Sequence, residues 1–311
     1  MGDVLNAVLD VARSEVAWIN AFTFAVFLAF GATGEWVAER AGTLNISVEA
    51  MLTGGAFGAA VGQDLSGNEV VAVLAAVLAG LSVAAVQAHM SHHLTADQFV
   101  VGLTLNIGVL GLTGFLDSAV APNAYRASAQ RIPVLADIPL VGEALFNRSW
   151  LFYLIYPLVP ACWWLVYRTR WGLEARAAGE EPQAADVSGI DVNRRRRQAI
   201  YLTGITSGLG GAYLVLAVVG RFGDSIVGGR GFIALAAVIF GGWTLRGTIA
   251  GCLLFGTVLS FRLSLAPLGH ELNGDLLASL PFVVTVLAMA LFATRVRAPA
   301  SLARPFVRGL K

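Results

Sequence analysis

The sequence predicts an all-α fold, a polytopic membrane bundle of about nine transmembrane helices (8–10). Three observations predict it. Hydrophobic residues fill 57% of the 311 positions and charged residues only 13%, against about 25% charge in a typical soluble domain. Mean hydropathy is +0.71, more apolar surface than one soluble core could hide but suited to a bilayer. Apolar runs of roughly 20 residues, the length a spanning helix needs, recur along the whole chain. The formal net charge of +1 leaves no basic surplus for phosphates, so nucleic acid is excluded and the lipid bilayer is the expected partner.

The spans are expected at about 16–36, 46–63, 69–90, 98–117, 150–167, 198–219, 231–246, 247–263 and 277–295. The second is the weakest by length. The seventh and eighth are parted only by a tight turn at Arg246 and Gly247, so either is partial or tilted. MGDVLNAVLDVARSE at the start carries one arginine against three acids. The apolar run after it is too long for a signal peptide, so the first span is expected to stay in the mature protein.

Basic residues orient the bundle. Arg168, Arg170, Arg176 and Arg194 to Arg197 put the loop 168–197 in the cytoplasm. Arg295, Arg297, Arg304, Arg308 and Lys311 put the C-terminus there as well. Nine spans then leave the N-terminus outside. The external loop 118–149 holds Pro122, Asn123, Pro133, Asp137 and Pro139, which predicts an ordered loop with one short surface helix. Residues 1–311 read as a single transmembrane domain.

Among 35 glycines, Gly54, Gly58 and Gly62 recur at helical spacing, as do Gly204 with Gly208 and Gly247 with Gly251. Small residues so placed let helix backbones approach closely in lipid; the alternative is flexible sites lining a path. Cys162 and Cys252 sit in separate apolar runs and read as small core hydrophobes. No metal-ligand spacing or disulfide framework is present in the sequence.

The longest polar stretch is RWGLEARAAGEEPQAADVSGIDVNRRRR, residues 170–197. Pro182 suits a first helical position, Gln183 to Ser188 a short helix, and Gly189 its cap, with Ile190 as the hydrophobic contact. Two short helices make a compact knob, suited to a groove on a cytoplasmic partner. The only lysine is Lys311, so a phosphate-binding GxxxxGK[ST] loop is excluded and any ATP must be hydrolysed by another polypeptide.

Polar groups inside spans carry the functional candidates. Asn45 and Glu49, four apart, would share one face of the second helix; Asn106 lies in the fourth span. Asn45 and Asn106 either bond between helices or touch a substrate. Glu49 is either a helix-start charge at the cytoplasmic interface or a functional group. His89, His92 and His93 read as interfacial histidines, and Trp243 as an interfacial anchor. Arg221, Asp224 and Arg230 bracket a glycine-rich external loop, either a solvated turn or a docking rim.

Four stretches carry a resemblance: ERAGTLNISVEAMLTGGAFGA (39–59), ADQFVVGLTLNIGVLGLTGFL (96–116), GLEARAAGEEPQAADVSGIDVNRRRRQAIYLTGITSGLGGAYL (172–214) and GFIALAAVIFGGWTLRGTIAGCLLFG (231–256). Together, and in this order, they resemble bacterial ABC-importer inner-membrane permeases of the ribose and branched-chain amino acid group. The stretch from Glu39 is most similar to the second permease of nucleoside or simple-sugar importers. The resemblance implies a multi-pass protein of the bacterial inner membrane, paired with a related second permease, a cytoplasmic ABC ATPase and an external substrate-binding protein. It implies that this chain binds no cofactor, ATP and Mg residing on the partner subunit. It also implies a coupling helix carrying Pro182, Ala185, Ser188 and Gly189.

Two other readings stand beside it. A branched-chain amino acid permease is the nearest. An ATP-independent secondary transporter would place an ionisable pair or discontinuous helices near the midplane, and most charges here lie at edges and loops. No nucleophile–base pair, metal cluster or paired carboxylates at one depth suggests an enzyme.

Overall fold

The computed structural model describes residues 9–223, 225–265, 279–280, 283–284, 286–287 and 297–308. The expected ninth span, 277–295, falls largely outside these residues. The described residues build helices and one two-residue strand pair, as an all-α membrane bundle requires. Five apolar segments are long enough to cross a bilayer.

Helix α1 (Glu15–Arg40) is the axis of the bundle. Ser14 caps it by accepting the Ala17 N–H. Every residue from 23 to 39 is buried, the mark of a helix enclosed by its neighbours rather than facing lipid on one side. Helices α2 (Val48–Ser66), α3 (Glu69–His92) and α4 (Gln98–Val120) follow. Asn68 and Asp97 each cap the next helix by accepting two main-chain N–H groups. Gly67, at φ +64°, turns the chain between α2 and α3 in the left-handed conformation that glycine adopts without strain.

After α4 the chain pairs β1 (Gln130–Arg131) with β2 (Asn147–Arg148), antiparallel, around a short helix α5 (Gly142–Phe146). Glu69 ties this loop to the bundle: one carboxylate oxygen accepts the Tyr125 hydroxyl at 2.5 Å and the other accepts the Trp150 indole N–H. The first of these bonds raises the Tyr125 pKa. Helices α6 (Trp150–Tyr153) and α7 (Ile155–Arg168) then make one apolar crossing.

The polar stretch folds into α8 (Arg170–Glu180) and α9 (Pro182–Val187). Helix α10 (Val192–Ala212) runs on into a π-helical segment, Tyr213–Val219. The chain ends its described course with α11 (Arg230–Phe240) and α12 (Leu245–Leu265) and a separate stretch, 297–308.

Small residues set the central crossing. A Cβ on Gly208 would lie 2.7 Å from the Ala76 carbonyl oxygen, one on Gly80 2.4 Å from that of Gly204, and one on Gly55 2.8 Å from the Gly208 Cα. These are backbone-to-backbone approaches of α10 with α2 and α3, where lipid supplies no hydrophobic push and close packing holds the helices. Gly58 and Gly62 likewise pack against Ala75 of α3.

The seventh expected span, 231–246, is partial, and its closing turn lies at Gly242 and Trp243 rather than at Arg246 and Gly247. Helix α11 has 11 residues, about 16 Å at 1.5 Å per residue, half of the roughly 30 Å hydrocarbon thickness. Gly242 and Trp243, at φ +65° and +52°, end it in a tight turn before α12 begins.

Candidate functional site

The site grows from the connection between α1 and α2. Residues 41–47 do not form a surface turn; all but Leu44 are buried. Thr43 Oγ1 hydrogen-bonds His92 Nε2 at 2.8 Å and donates to Gln98 Oε1, which also accepts the Leu44 N–H at 2.8 Å. The Asn45 N–H donates to Glu35 Oε1 at 2.9 Å, and Asn45 Oδ1 accepts from the N–H and hydroxyl of Ser47. Side chains thus satisfy the main chain of this buried segment, as nonhelical backbone at membrane depth requires.

Two rulers fix how deep α2 starts. Asn106 on α4 gives a hydrogen bond to the Ile46 carbonyl and accepts the Ala50 N–H, both at 2.9 Å. It lies eight positions past Gln98, about 12 Å along the helix. Gly31 on α1 faces Val48 and Ala234, nine positions before Arg40 and so about 13 Å in. Helices α2 and α11 therefore both begin well inside the bundle, near half depth.

Glu49 joins those two beginnings. Its Oε1 accepts the Gly229 N–H at 2.7 Å and its Oε2 accepts the Gly231 N–H at 2.6 Å. The carboxylate thereby satisfies orphan donors at the N-terminus of α11, where the helix dipole also favours negative charge. Gly231 permits the approach, since a Cβ there would stand 2.6 Å from the Glu49 main chain. The placement of Glu49 at a cytoplasmic interface is corrected: the buried descent of 41–47 carries it inward. Asn45 does not share a helical face with it, because α2 starts only at Val48.

A cleft of about 330 Å³ opens beside this carboxylate, lined by Glu49, Thr53, Asn106, Ser225, Gly228 and Phe232 together with apolar residues of α4. Its volume falls at the lower end of small-molecule sites. Of the sequence-stretch candidates, Glu49 and Asn106 meet here. Asn45 lies behind, in the support of the descending segment. A larger basin, about 450 Å³, sits between Arg126, Arg148 and the π-helical segment.

The knob has the predicted local form. Pro182 occupies the first turn of α9, Ser188 follows its last residue, and Gly189 adopts φ +85°. The Ile190 N–H reaches back to the Ala185 carbonyl at 3.0 Å, and the Gly189 N–H to that of Asp186, satisfying C-terminal carbonyls as a glycine cap does. Ala185 is buried with Ala178 and Val192.

The outer candidates separate. Arg221 is exposed, Asp224 lies outside the described residues, and Arg230 turns inward. The Arg230 guanidinium stands 5.3 Å from the Phe24 ring centroid and donates to the carbonyls of Ile226 and Val227. Arg230 does not belong to an exposed rim, because the helix it starts begins at depth.

Sequence reasoning passed over three buried groups. Glu35 and Glu39, one turn apart on α1, are fully enclosed. Glu39 accepts the Trp243 indole N–H, and the Trp243 carbonyl accepts the Trp36 indole N–H at 2.9 Å, so the turn after α11 is locked to α1. Trp243 is a buried tie and not a membrane-surface anchor. Arg196, also fully buried, is the third. Two carboxylates within an apolar run were the signal for the first pair. Among the described residues, no group of three or more His, Cys, Asp or Glu side chains could hold a metal ion.

Helices interrupted near half depth around a carboxylate are an arrangement found at the binding sites of membrane transport proteins. The chain belongs to the family described as branched-chain amino acid transport system, permease component, whose model matches residues 17–293. It is a multi-pass permease subunit of the ABC-importer type, a family distinct from the ATPase subunits. It is similar to the guanosine ABC transporter permease protein NupQ of Bacillus subtilis, with 32% identity over 92% of this chain and 94% of that one. The nucleoside ABC transporter permease protein NupC of Lactococcus lactis is 32% identical over 90% of this chain and 93% of its own. A putative glucose ABC transporter permease of Haloferax volcanii is 34% identical over 77% and 74% of the two chains.

Proposed function

We propose that this permease carries nucleosides across the bacterial inner membrane, and that the Glu49 cleft is the contact point on their path. The carrying observation is the Glu49 carboxylate at half depth, held by two main-chain N–H groups. A carboxylate offers about four acceptor positions, so two remain for the hydroxyls of a ribose. Phe232, 42% exposed beside it, offers a ring face for a base. The two relatives at 32% identity whose names specify guanosine or nucleosides support this cargo over glucose.

The cleft also argues for a second, related permease. Leu103, Ile107 and Leu110 of α4 are exposed around it, and an ionisable group in a membrane faces a protein interior or water rather than lipid tails. A partner permease on this face would enclose the path. ATP would be hydrolysed by a cytoplasmic ABC ATPase docked on α9 through Pro182, Ala185, Ser188 and Gly189. An external binding protein would deliver cargo at the side bearing Arg221 and the loop 118–149, and the C-terminus would be cytoplasmic. This chain would bind no cofactor of its own.

The test is reconstitution in proteoliposomes with the ATPase, the second permease and the binding protein. ATP-dependent uptake of radiolabelled guanosine, with little uptake of ribose, glucose or leucine, is expected. Preferential uptake of a sugar or of leucine would reassign the cargo, and gradient-driven uptake by this chain alone would defeat the ABC reading.

A further inference from the structure

We infer that Arg196 is the pin that makes the coupling knob, the end of α1 and the segment 297–308 move as one block, and so carries the ATPase stroke to the Glu49 cleft. This rests on the permease reading above and adds to it a positioning residue and a third component of the knob.

Arg196 is the one fully buried member of the four-arginine run. Arg195 pairs with Glu174, whereas among the described residues no carboxylate pairs with Arg196. Its guanidinium instead spends its N–H groups on three separate pieces of chain. Nε donates to the Ala41 carbonyl at 3.2 Å, at the end of α1. Nη2 donates to the Ala178 carbonyl of α8 at 3.2 Å and to Ser301 Oγ at 3.0 Å. Nη1 donates to the Arg304 carbonyl at 2.7 Å. Two of these carbonyls belong to helix C-termini, where the partial negative charge favours a cation without a counter-ion. The planar fork of arginine serves three directions at once; a lysine is a point charge on a flexible stem.

The surroundings are built to this contact. Gly42, at φ +84°, has no room for a Cβ, which would meet Arg196 Nη2, Gly179 Cα and Ser301 Oγ within 2.9 Å. Ser301 in turn donates to the Gly179 carbonyl at 2.6 Å, its N–H bonds the same carbonyl, and Phe306 packs on Ala178, Ala185 and Val192. Residues 297–308 are thus a strap over α8 and α9. Past Ala41, the chain runs through the buried segment 42–47 into Glu49. A push on α9 therefore reaches the cleft through Arg196 and the Ala41 carbonyl. Gly179 also lies directly against the end of α1, where a Cβ would stand 2.3 Å from the Arg40 carbonyl oxygen; Arg196 adds the directed hydrogen bonds that fix this packed contact in one register.

The experiment uses the complete transporter in proteoliposomes and measures guanosine imported per ATP hydrolysed. Arg196→Gln should assemble and hydrolyse ATP near the wild-type rate, with import per ATP down about 10-fold, in the range of site-to-site coupling. Arg196→Lys should fail to restore the ratio. Truncation after Ala300, which leaves Arg196 and the membrane helices in place, should lower the ratio about 5-fold, the low end of that range. An unchanged ratio in Arg196→Gln, or full recovery in Arg196→Lys, would overturn the proposal. Loss of assembly in both Arg196→Gln and the truncated chain would make this a folding contact and overturn it as well. Failure of the underlying reading shows separately, in a wild-type complex that hydrolyses ATP and imports nothing.

Discussion

Glu49 and Gly231 meet across two helix beginnings, the carboxylate accepting the glycine N–H at 2.6 Å while its other oxygen holds Gly229. Hydrogen bonds to a charged group contribute about 1.5–3 kcal/mol each. Glu49→Ala removes both acceptors and leaves two N–H groups without partners, so thermal unfolding of the detergent-purified chain should fall by several degrees and uptake should vanish. Glu49→Gln keeps one acceptor but points an amide N–H₂ at a main-chain donor. Its melting temperature should lie between the two, and its uptake should show a raised KM.

Gly231→Ala isolates the geometry from the charge. The added methyl would sit 2.6 Å from the Glu49 backbone and 2.7 Å from Oε2, so α2 and α11 must part. Overpacking of this kind costs about 1–3 kcal/mol. Uptake should drop more than stability does, because Glu49 loses its register; equal losses in both would assign Gly231 to packing alone.

Asn106 clasps the start of α2 with two buried bonds, to the Ile46 carbonyl and the Ala50 N–H. Asn106→Leu leaves both main-chain groups unpaired at about 1–3 kcal/mol apiece. The expected result is a marked loss of folded, monodisperse protein in size-exclusion chromatography. A well-folded variant with altered substrate selectivity would instead make Asn106 a contact with cargo.

The knob supplies a paired comparison. Gly189 has φ +85° and open space around its Cα, so Gly189→Ala pays only the left-handed penalty of about 1–2 kcal/mol. Ala185 is 4% exposed under Ala178 and Val192, and Ala185→Leu must displace them at about 1–3 kcal/mol. Limited proteolysis of loop 181–191 should accelerate in both variants, while import per ATP should fall further in Ala185→Leu, which shifts α9 on its base.

Much of this architecture is legible in the residues. Expected spans 16–36, 69–90 and 98–117 coincide with α1, α3 and α4 to within a few residues, because long apolar runs in lipid have few alternatives to helix. Pro182 and Gly189 marked the limits of α9 through backbone restrictions that are local. What depends on contacts between distant segments was not legible. A hydropathy window counts 231–246 as one run, and only the left-handed turn at Gly242 and Trp243 divides it. The two readings of Glu49, interfacial charge or functional group, stayed open because an uncharged connection such as AGTLNIS looks the same on a surface as in a buried descent. Arg196 hid among its neighbours, although Val192, Arg196 and Ile200 stand at helical spacing on the buried face of α10. That spacing, rather than the charge count, was the usable sign.

The strap over α8 and α9 has a temporal side. Residues 297–308 come off the ribosome after α1, α8 and α10, yet the knob is closed only when Ser301 and Phe306 have settled on it. A chain interrupted before Ser301 would still carry α8 and α9, but without the last fastening that holds them to one another. The final residues made thus complete a surface laid down more than a hundred residues earlier.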